Sequence, residues 1–456
     1  MYSQNHLIQI SLQIEDASSK YLGLSLFLFS CSGSKHVKKT TEPVTEKKPE
    51  INPETKTTPE KPGFLEQLLA GDERMKPFLN NRDSLKIQVI YTQIDRDKDN
   101  KPRFTDYSFN VDPAHYFYPA STVKLPTSLL ALEKISHLQA PGLSAASAMI
   151  TEGGYGAMTS VYNDPNTPDG RPSIAQYVKE VFLVSDNNAQ NRMYEFLGQQ
   201  YLNNTLWSKG YKEAQIIHRL DISLSEDENR HTNPIRFYDN GGNLIYNQPM
   251  AYNKDPYLVR NDKLGNGYMK NDQLVQEPLD FSIKNRISLS SLHNILRSVM
   301  FPESVKAEHR FKLSSEDFQM VRKYMSMYPS ESDFPAYDSA EYFPAYGKFL
   351  LYGGSKNASI MPNVRIFNKP GDAYGFLLDI AYVADFENKV EFMVSAVIFC
   401  DKDGILNDDK YNYEETGLPF MKWLGEDIYR FELSRPREHK PDLSTFIFNY
   451  SGSAAK

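Results

Sequence analysis

A hydroxyl and an amine stand three residues apart in Phe117-Tyr118-Pro119-Ala120-Ser121-Thr122-Val123-Lys124, and an apolar run with helical spacing follows at once: Leu125, Leu129, Leu130, Leu132 and Ile135. A helix that begins at Ser121 puts residues i and i+3 on one face, so the Ser121 oxygen and the Lys124 nitrogen share a cleft. A serine nucleophile needs a base beside it. A lysine serves as that base once burial and positive surroundings lower its pKa. The helix N-terminus favours the negative charge that develops at the serine. Pro126 falls at the fifth helical position, where it takes the partner from the Thr122 carbonyl and bends the first turn. Taken alone, a Ser-x-x-Lys tetrapeptide reads first as a capping serine with a solvated lysine one turn on. Its meaning depends on what lies downstream.

Downstream, the spacing predicts a helix over 173–184, capped by Ser173 and ending at Ser185-Asp186-Asn187, then a second helix stopped by Gly198. Helical periodicity returns at 288–300 and 315–327. The segment 235–287 differs in character. Asp239-Asn240-Gly241-Gly242-Asn243 joins two short β-like runs, a hairpin signal, and Tyr252, Tyr257 and Tyr268 follow, read as local packing in an inserted β-rich lobe. Strand patterns at 85–91 and 107–111 match two more at 376–383 and 391–399, with Val364 to Phe367 leading into Lys369-Pro370-Gly371. Phe64 to Leu79 reads as an amphipathic helix weakened at Gly71, and Leu418 to Leu433 as a last helix. The fold class expected is α+β: a five-stranded antiparallel sheet from both chain ends, flanked by terminal helices, with an all-helical block and a β-rich insertion.

Three short motifs thus occur in order: Ser121-Thr122-Val123-Lys124, Ser185-Asp186-Asn187 and Lys369-Pro370-Gly371. The set resembles the penicillin-recognising serine hydrolases, most closely the class A β-lactamases, whose signatures are S-x-x-K, S-D-N and K-T-G. Arg219-Leu220-Asp221 and Thr232-Asn233-Pro234 resemble landmarks at the two ends of that family's Ω-loop. The resemblance spans about Phe64 to Leu433 and implies a β-lactamase/transpeptidase-like fold. It also implies roles. Ser121 is the acylated nucleophile, Lys124 its base or proton relay, and Ser185 passes the proton to the leaving nitrogen. Asn187 binds the substrate amide, and Lys369 with Gly371 lines the substrate strand. The backbone N–H groups of Ser121 and Asp372 form the oxyanion hole.

Two departures stand out. Pro370 replaces the hydroxyl that binds the substrate carboxylate in the family. The run Ile222 to Asn229 replaces the one that holds the deacylating acid; Glu226 and Glu228 are the candidates for that base, and neither is assigned by spacing. The resemblance implies a serine acyl-hydrolase acting on a β-lactam or related cyclic amide. The alternatives are a penicillin-binding D-Ala-D-Ala carboxypeptidase or transpeptidase with slow deacylation, and a degenerate cell-wall binding protein.

Composition fixes the address and excludes some partners. Net charge is −7, from 51 basic and 58 acidic residues, with no basic excess to bind nucleic acid. No metal-ligand cluster and no phosphate-cradling glycine loop stands out, so no metal or cofactor is expected. The two cysteines, Cys31 and Cys400, make no disulfide framework; Cys400 reads as a buried strand-end residue. Leu22 to Ser30 has the length of a signal-peptide apolar region, although Glu15 and Asp16 upstream do not suit a basic leader. Leu28-Phe29-Ser30-Cys31 resembles a bacterial lipobox with Cys31 as the lipidated residue. The expected organisation is a signal peptide over 1–31, a polar tether over 32–62, a hydrolase domain over 63–434 with the lobe at 235–287, and a tail over 435–456. The tether cannot bury enough surface to order itself; it reaches roughly 30 Å as a coil and about 100 Å stretched. The chain is therefore expected to be a bacterial lipoprotein held to the membrane through Cys31, in the periplasm or at the cell surface.

Overall fold

The computed structural model of the chain describes residues 63–450. Cys31 and the segments 1–31 and 32–62 lie outside the described residues, and no helix among the described residues is long and apolar enough to cross a membrane.

The central sheet has five antiparallel strands in the order Val364–Ala373, Phe376–Asp385, Val390–Phe399, Gln88–Arg96, Pro102–Phe109. Strands Phe376–Asp385 and Val390–Phe399 are buried along their whole length because both faces are covered. Side chains of a strand alternate between faces. Accordingly Phe376, Leu378, Ile380, Tyr382 and Ala384 enter the core shared with the helical block. Leu377, Ala381 and Val383 enter the second core, under the terminal helices Phe64–Ala70 and Leu418–Ser434. This is the expected β-lactamase/transpeptidase-like α+β architecture.

The local expectations are corrected in several places. The single helix over 64–79 is two, Phe64–Ala70 and Lys76–Asn80. Gly71 ends the first, and the Asp72 carboxylate then accepts from the Arg74 backbone N–H at 2.8 Å, a local bond that competes with helix. The first strand is Gln88–Arg96 rather than 85–91, and the second is Pro102–Phe109. Gly198, with φ +70°, ends the helix Asn187–Leu197 and opens another, Gln199–Ser208, that periodicity did not mark out. Hairpin strands Ile235–Tyr238 and Leu244–Gln248 form as read, but the first also pairs with Ala148–Thr151 of the main body. Within the same lobe, Gly267–Lys270 pairs in parallel with Ile405–Leu406.

The loop from Arg219 to Asn233 is closed at its base by one buried cation. The Arg219 guanidinium donates to Glu195 Oε1 at 2.8 Å, to the Glu228 and His231 carbonyls, and to Asn233 Oδ1 at 3.3 Å. Removing one member of a buried cluster is costly: without Arg219, Glu195 keeps only Arg192, at 3.0 Å, and the Glu228 and His231 carbonyls lose their donor. Arg219→Ala should therefore lower unfolding free energy by about 3–5 kcal/mol, read as a shift of the urea midpoint, and should loosen the loop that borders Ser121.

Candidate active site

Ser121 does not start an α-helix. It lies in a 3₁₀ turn, Ala120–Val123, and the α-helix begins at Lys124 and runs to Leu138. The tighter turn improves the expected geometry, because residues i and i+3 eclipse in a 3₁₀ helix. It also removes the expected effect of Pro126. That residue is third in the α-helix, where N–H groups have no intrahelical partner, and the Thr122 carbonyl accepts from the Lys124 N–H.

Both lysines are fully buried at 0 % exposure, while Ser121 is partly open to a cleft of about 1060 Å³. Lys124 Nζ lies 2.9 Å from Ser121 Oγ, 2.5 Å from the Ser185 carbonyl, 2.7 Å from Asn187 Oδ1 and 3.1 Å from Ser185 Oγ. Burial pushes the Lys124 amine down to about 7, against the raising influence of Asp186, Asp372 and Asp221. A neutral amine has two N–H groups and one lone pair. The Ser185 carbonyl and Asn187 Oδ1 can only accept, so they take the two N–H groups. The lone pair is left for the Ser121 hydroxyl proton.

Lys369 Nζ donates to Ser185 Oγ at 2.8 Å and to the Pro370 carbonyl at 2.9 Å. Burial, followed by the neighbouring Lys124, pushes it well below the usual lysine range. The Ser185 hydroxyl therefore sits between two amines of lowered basicity. Ser185 does not cap the next helix; Asp186 does, accepting from the Ala189 N–H at 2.7 Å. Ser185 instead has φ +58°, and Ala120 (φ +46°) and Asp221 (φ +55°) are also left-handed. Non-glycine residues held there cost about 1–3 kcal/mol each and cluster at functional sites.

Strand Val364–Ala373 is an edge strand, which is where a proline is tolerated. The Ile366 carbonyl accepts from Lys348 Nζ and the Pro370 carbonyl from Lys369 Nζ, so even-numbered residues face the open edge. By the same alternation the Asp372 N–H points there too. Gly371 lies against the nucleophile turn: a Cβ on it would come 2.8 Å from the Ser121 nitrogen and 3.1 Å from that of Thr122. Gly371→Ala should push the strand off the turn and reduce acylation of Ser121 by at least about 100-fold, with the thermal midpoint measured alongside as the control for folding.

Neither loop acid reaches the nucleophile. Glu228 Oε1 accepts from the Ala157 N–H at 2.7 Å and Oε2 from the Ser225 N–H at 2.8 Å and hydroxyl at 2.7 Å. Those bonds hold its carboxyl down to about 2. Glu226 borders the cleft but pairs with Arg230 at 3.0 Å. Asp221, which the sequence marked only as a loop landmark, is closer: the Asn187 Nδ2 donates to its Oδ2 at 3.4 Å. The cleft wall beside Ser121 includes Tyr118, whose ring stacks parallel to His218 and meets Tyr374 edge-on at 5.0 Å, an aromatic wall with no sequence signal. Among the described residues no group of three or more His, Cys, Asp or Glu is placed to hold a metal ion.

Comparison with known proteins gives a family match over residues 72–240, to the β-lactamase enzyme family. No curated protein matches the sequence. Similar solved structures include an ancestral class A β-lactamase at 15 % identity and TM-score 0.44, covering 80 % of this chain and 100 % of that one. A class A β-lactamase from Clostridium kluyveri is 14 % identical, with TM-score 0.42 and coverage of 78 % and 97 %. A β-lactamase from Desulfarculus baarsii is 12 % identical, with TM-score 0.43 and coverage of 79 % and 98 %. The matched segment 72–240 holds Ser121, Lys124, Ser185 and Asn187, and over that segment the chain is similar to the β-lactamase enzyme family.

Proposed function

We propose that the protein is a serine acyl-transfer enzyme of class A β-lactamase type, acylated at Ser121 by a β-lactam or a related amide. The observation that carries this reading is the Lys124 amine. It is buried, 2.9 Å from Ser121 Oγ, with both of its N–H groups committed elsewhere. In this reading Ser121 Oγ attacks the amide carbonyl carbon and its proton passes to Lys124 Nζ. The N–H groups of Ser121 and Asp372 hold the oxyanion. As the C–N bond breaks, the leaving nitrogen takes a proton from the Ser185 hydroxyl, which is resupplied by Lys124 or Lys369. Water then hydrolyses the ester at Ser121. Asn187 and Gly371 line the substrate's path.

A second reading, penicillin-binding behaviour with a long-lived acyl-enzyme, is favoured by the commitment of Glu228 and Glu226 to other partners. A fluorescent penicillin separates the outcomes. Rapid turnover supports a β-lactamase, and a stable label on the wild type that is absent from Ser121→Ala supports the penicillin-binding form. Absence of both label and turnover in the wild type, with the penicillin given as the free acid and as its methyl ester, contradicts both and leaves a binding protein.

For location we propose a bacterial lipoprotein anchored at Cys31, outside the cytoplasm, on the strength of the apolar run ending in Ser30-Cys31 and the polar segment behind it. Cys31→Ala should release the protein from the membrane fraction. A soluble mature form whose N-terminus maps well beyond Cys31 would contradict the anchor.

A further inference from the structure

On the leaving-group side of the site, the strand position next to Lys369 offers a carboxylate no donor of its own. Pro370 occupies the outward-facing slot between Lys369 and Gly371, and it has neither a hydroxyl nor an N–H to donate. Opposite Pro370 on the next strand stands a buried acid, Asp379, which accepts from Asn368 Nδ2 at 2.8 Å and from the Leu350 N–H at 3.1 Å. The nearby cation, Lys348, is closed off. Its Nζ donates to the Met325 and Ile366 carbonyls and to Asn368 Oδ1.

Acidic side chains surround the two reacting amines, and burial raises Asp372 and Asp379 among them above the ordinary carboxylate range. Those that bear on Lys124 are Asp186, Asp372 and Asp221. Those that bear on Lys369, besides Lys124, are Asp372, Asp379 and Lys348. No arginine is among them. Along the cleft wall, Asp280 and Asp409 add to Asp221 and Asp372, while Glu226 is paired with Arg230. On the other side of the balance, Arg219 is spent on Glu195 and the loop base, and Lys284 donates to the Tyr374 hydroxyl at 3.3 Å. A carboxylate brought to Ser121 would lose hydration and meet like charge with no guanidinium to pair with, and the Ser185 hydroxyl beside it is already engaged with Lys124 and Lys369.

We infer that the site selects acyl donors with no carboxylate beside the scissile bond: an internal amide, or one whose leaving side is neutral or amine-bearing. This rests on the reading that Ser121 is acylated, and it adds which amides do so. Lys270 and Lys284 lie among the lobe residues of the same cleft, and the Lys284 amine is engaged by the hydroxyl of Tyr374, the residue that follows the strand carrying Pro370.

The test compares a chromogenic cephalosporin as the free acid with its methyl ester. The rate of adduct formation at Ser121 is read by intact-protein mass, and each rate is divided by that substrate's rate with hydroxide to remove intrinsic reactivity. The corrected ester rate should exceed the acid rate by at least about 10-fold. The acid, and not the ester, should also speed up with added salt as the repulsion is screened. Pro370→Thr, which restores a hydroxyl and an N–H, should lower the ester-to-acid ratio. The wild-type ratio and its salt dependence stand whether or not that variant folds. An acid rate equal to or above the ester rate overturns the carboxylate exclusion and leaves acylation intact. Neither adduct nor turnover with either substrate overturns the acylation reading and this inference with it.

Discussion

Lys124→Ala should acylate at least about 100-fold more slowly than the wild type, and Ser121→Ala should not acylate at all. The serine variant loses the atom that forms the ester. The lysine variant keeps the nucleophile and loses its proton acceptor, and a positioned base typically contributes about 10²–10⁴-fold. No other amine can substitute: Lys369 reaches Ser185 Oγ, not Ser121. The pH dependence has a definite sign. The amine accepts a proton only when neutral, and its pKa is lowered to about 7. Wild-type acylation should therefore rise with pH through about 7 and level off above it. Lys124→Ala should lose that rise, which separates a lost base from a merely disturbed fold. A wild-type rate in Lys124→Ala, measured as the second-order constant for adduct formation, would remove Lys124 from the mechanism.

The acyl-enzyme should break down more slowly than it forms, by roughly 10²–10⁴-fold, the factor that an activated water ordinarily supplies. Mixing with a chromogenic cephalosporin, in whichever form acylates faster, should give a burst of about one equivalent and then a slow steady state. The reason is geometric. Glu228 spends both oxygens on backbone and hydroxyl donors, Glu226 is paired with Arg230, and Asp221 faces the Asn187 amide. Linear turnover from time zero, abolished in Glu226→Gln, Glu228→Gln or Asp221→Asn, would falsify the slow-deacylation account and identify the base.

What could be read from the sequence and what could not divides by distance along the chain. Ser121 with Lys124, and Ser185 with Asn187, are local pairs, so spacing alone aligned them. The two long hydrophobic strands and the Asp239–Asn243 hairpin were legible for the same reason. The 3₁₀ turn at Ala120–Val123 was not. Its left-handed Ala120 packs against the Gly371 strand, which is remote in sequence. The fate of Glu228 was equally hidden, because one oxygen is taken by Ala157, 71 residues away. The helix Gln199–Ser208 was missed because Gly198 reads as a stop; with φ +70° it is both a stop and a start. Asp221 showed only as a landmark, since its contact with Asn187 needs the loop closed by Arg219 and Asn233.

The most direct test of the central claim is a time course of intact-protein mass after mixing with the cephalosporin, with peptide mapping of the adduct. The account predicts one covalent equivalent, located on the peptide that carries Ser121, appearing rapidly and disappearing slowly. Turnover with the protein unmodified throughout, or an adduct on any other residue, would contradict it.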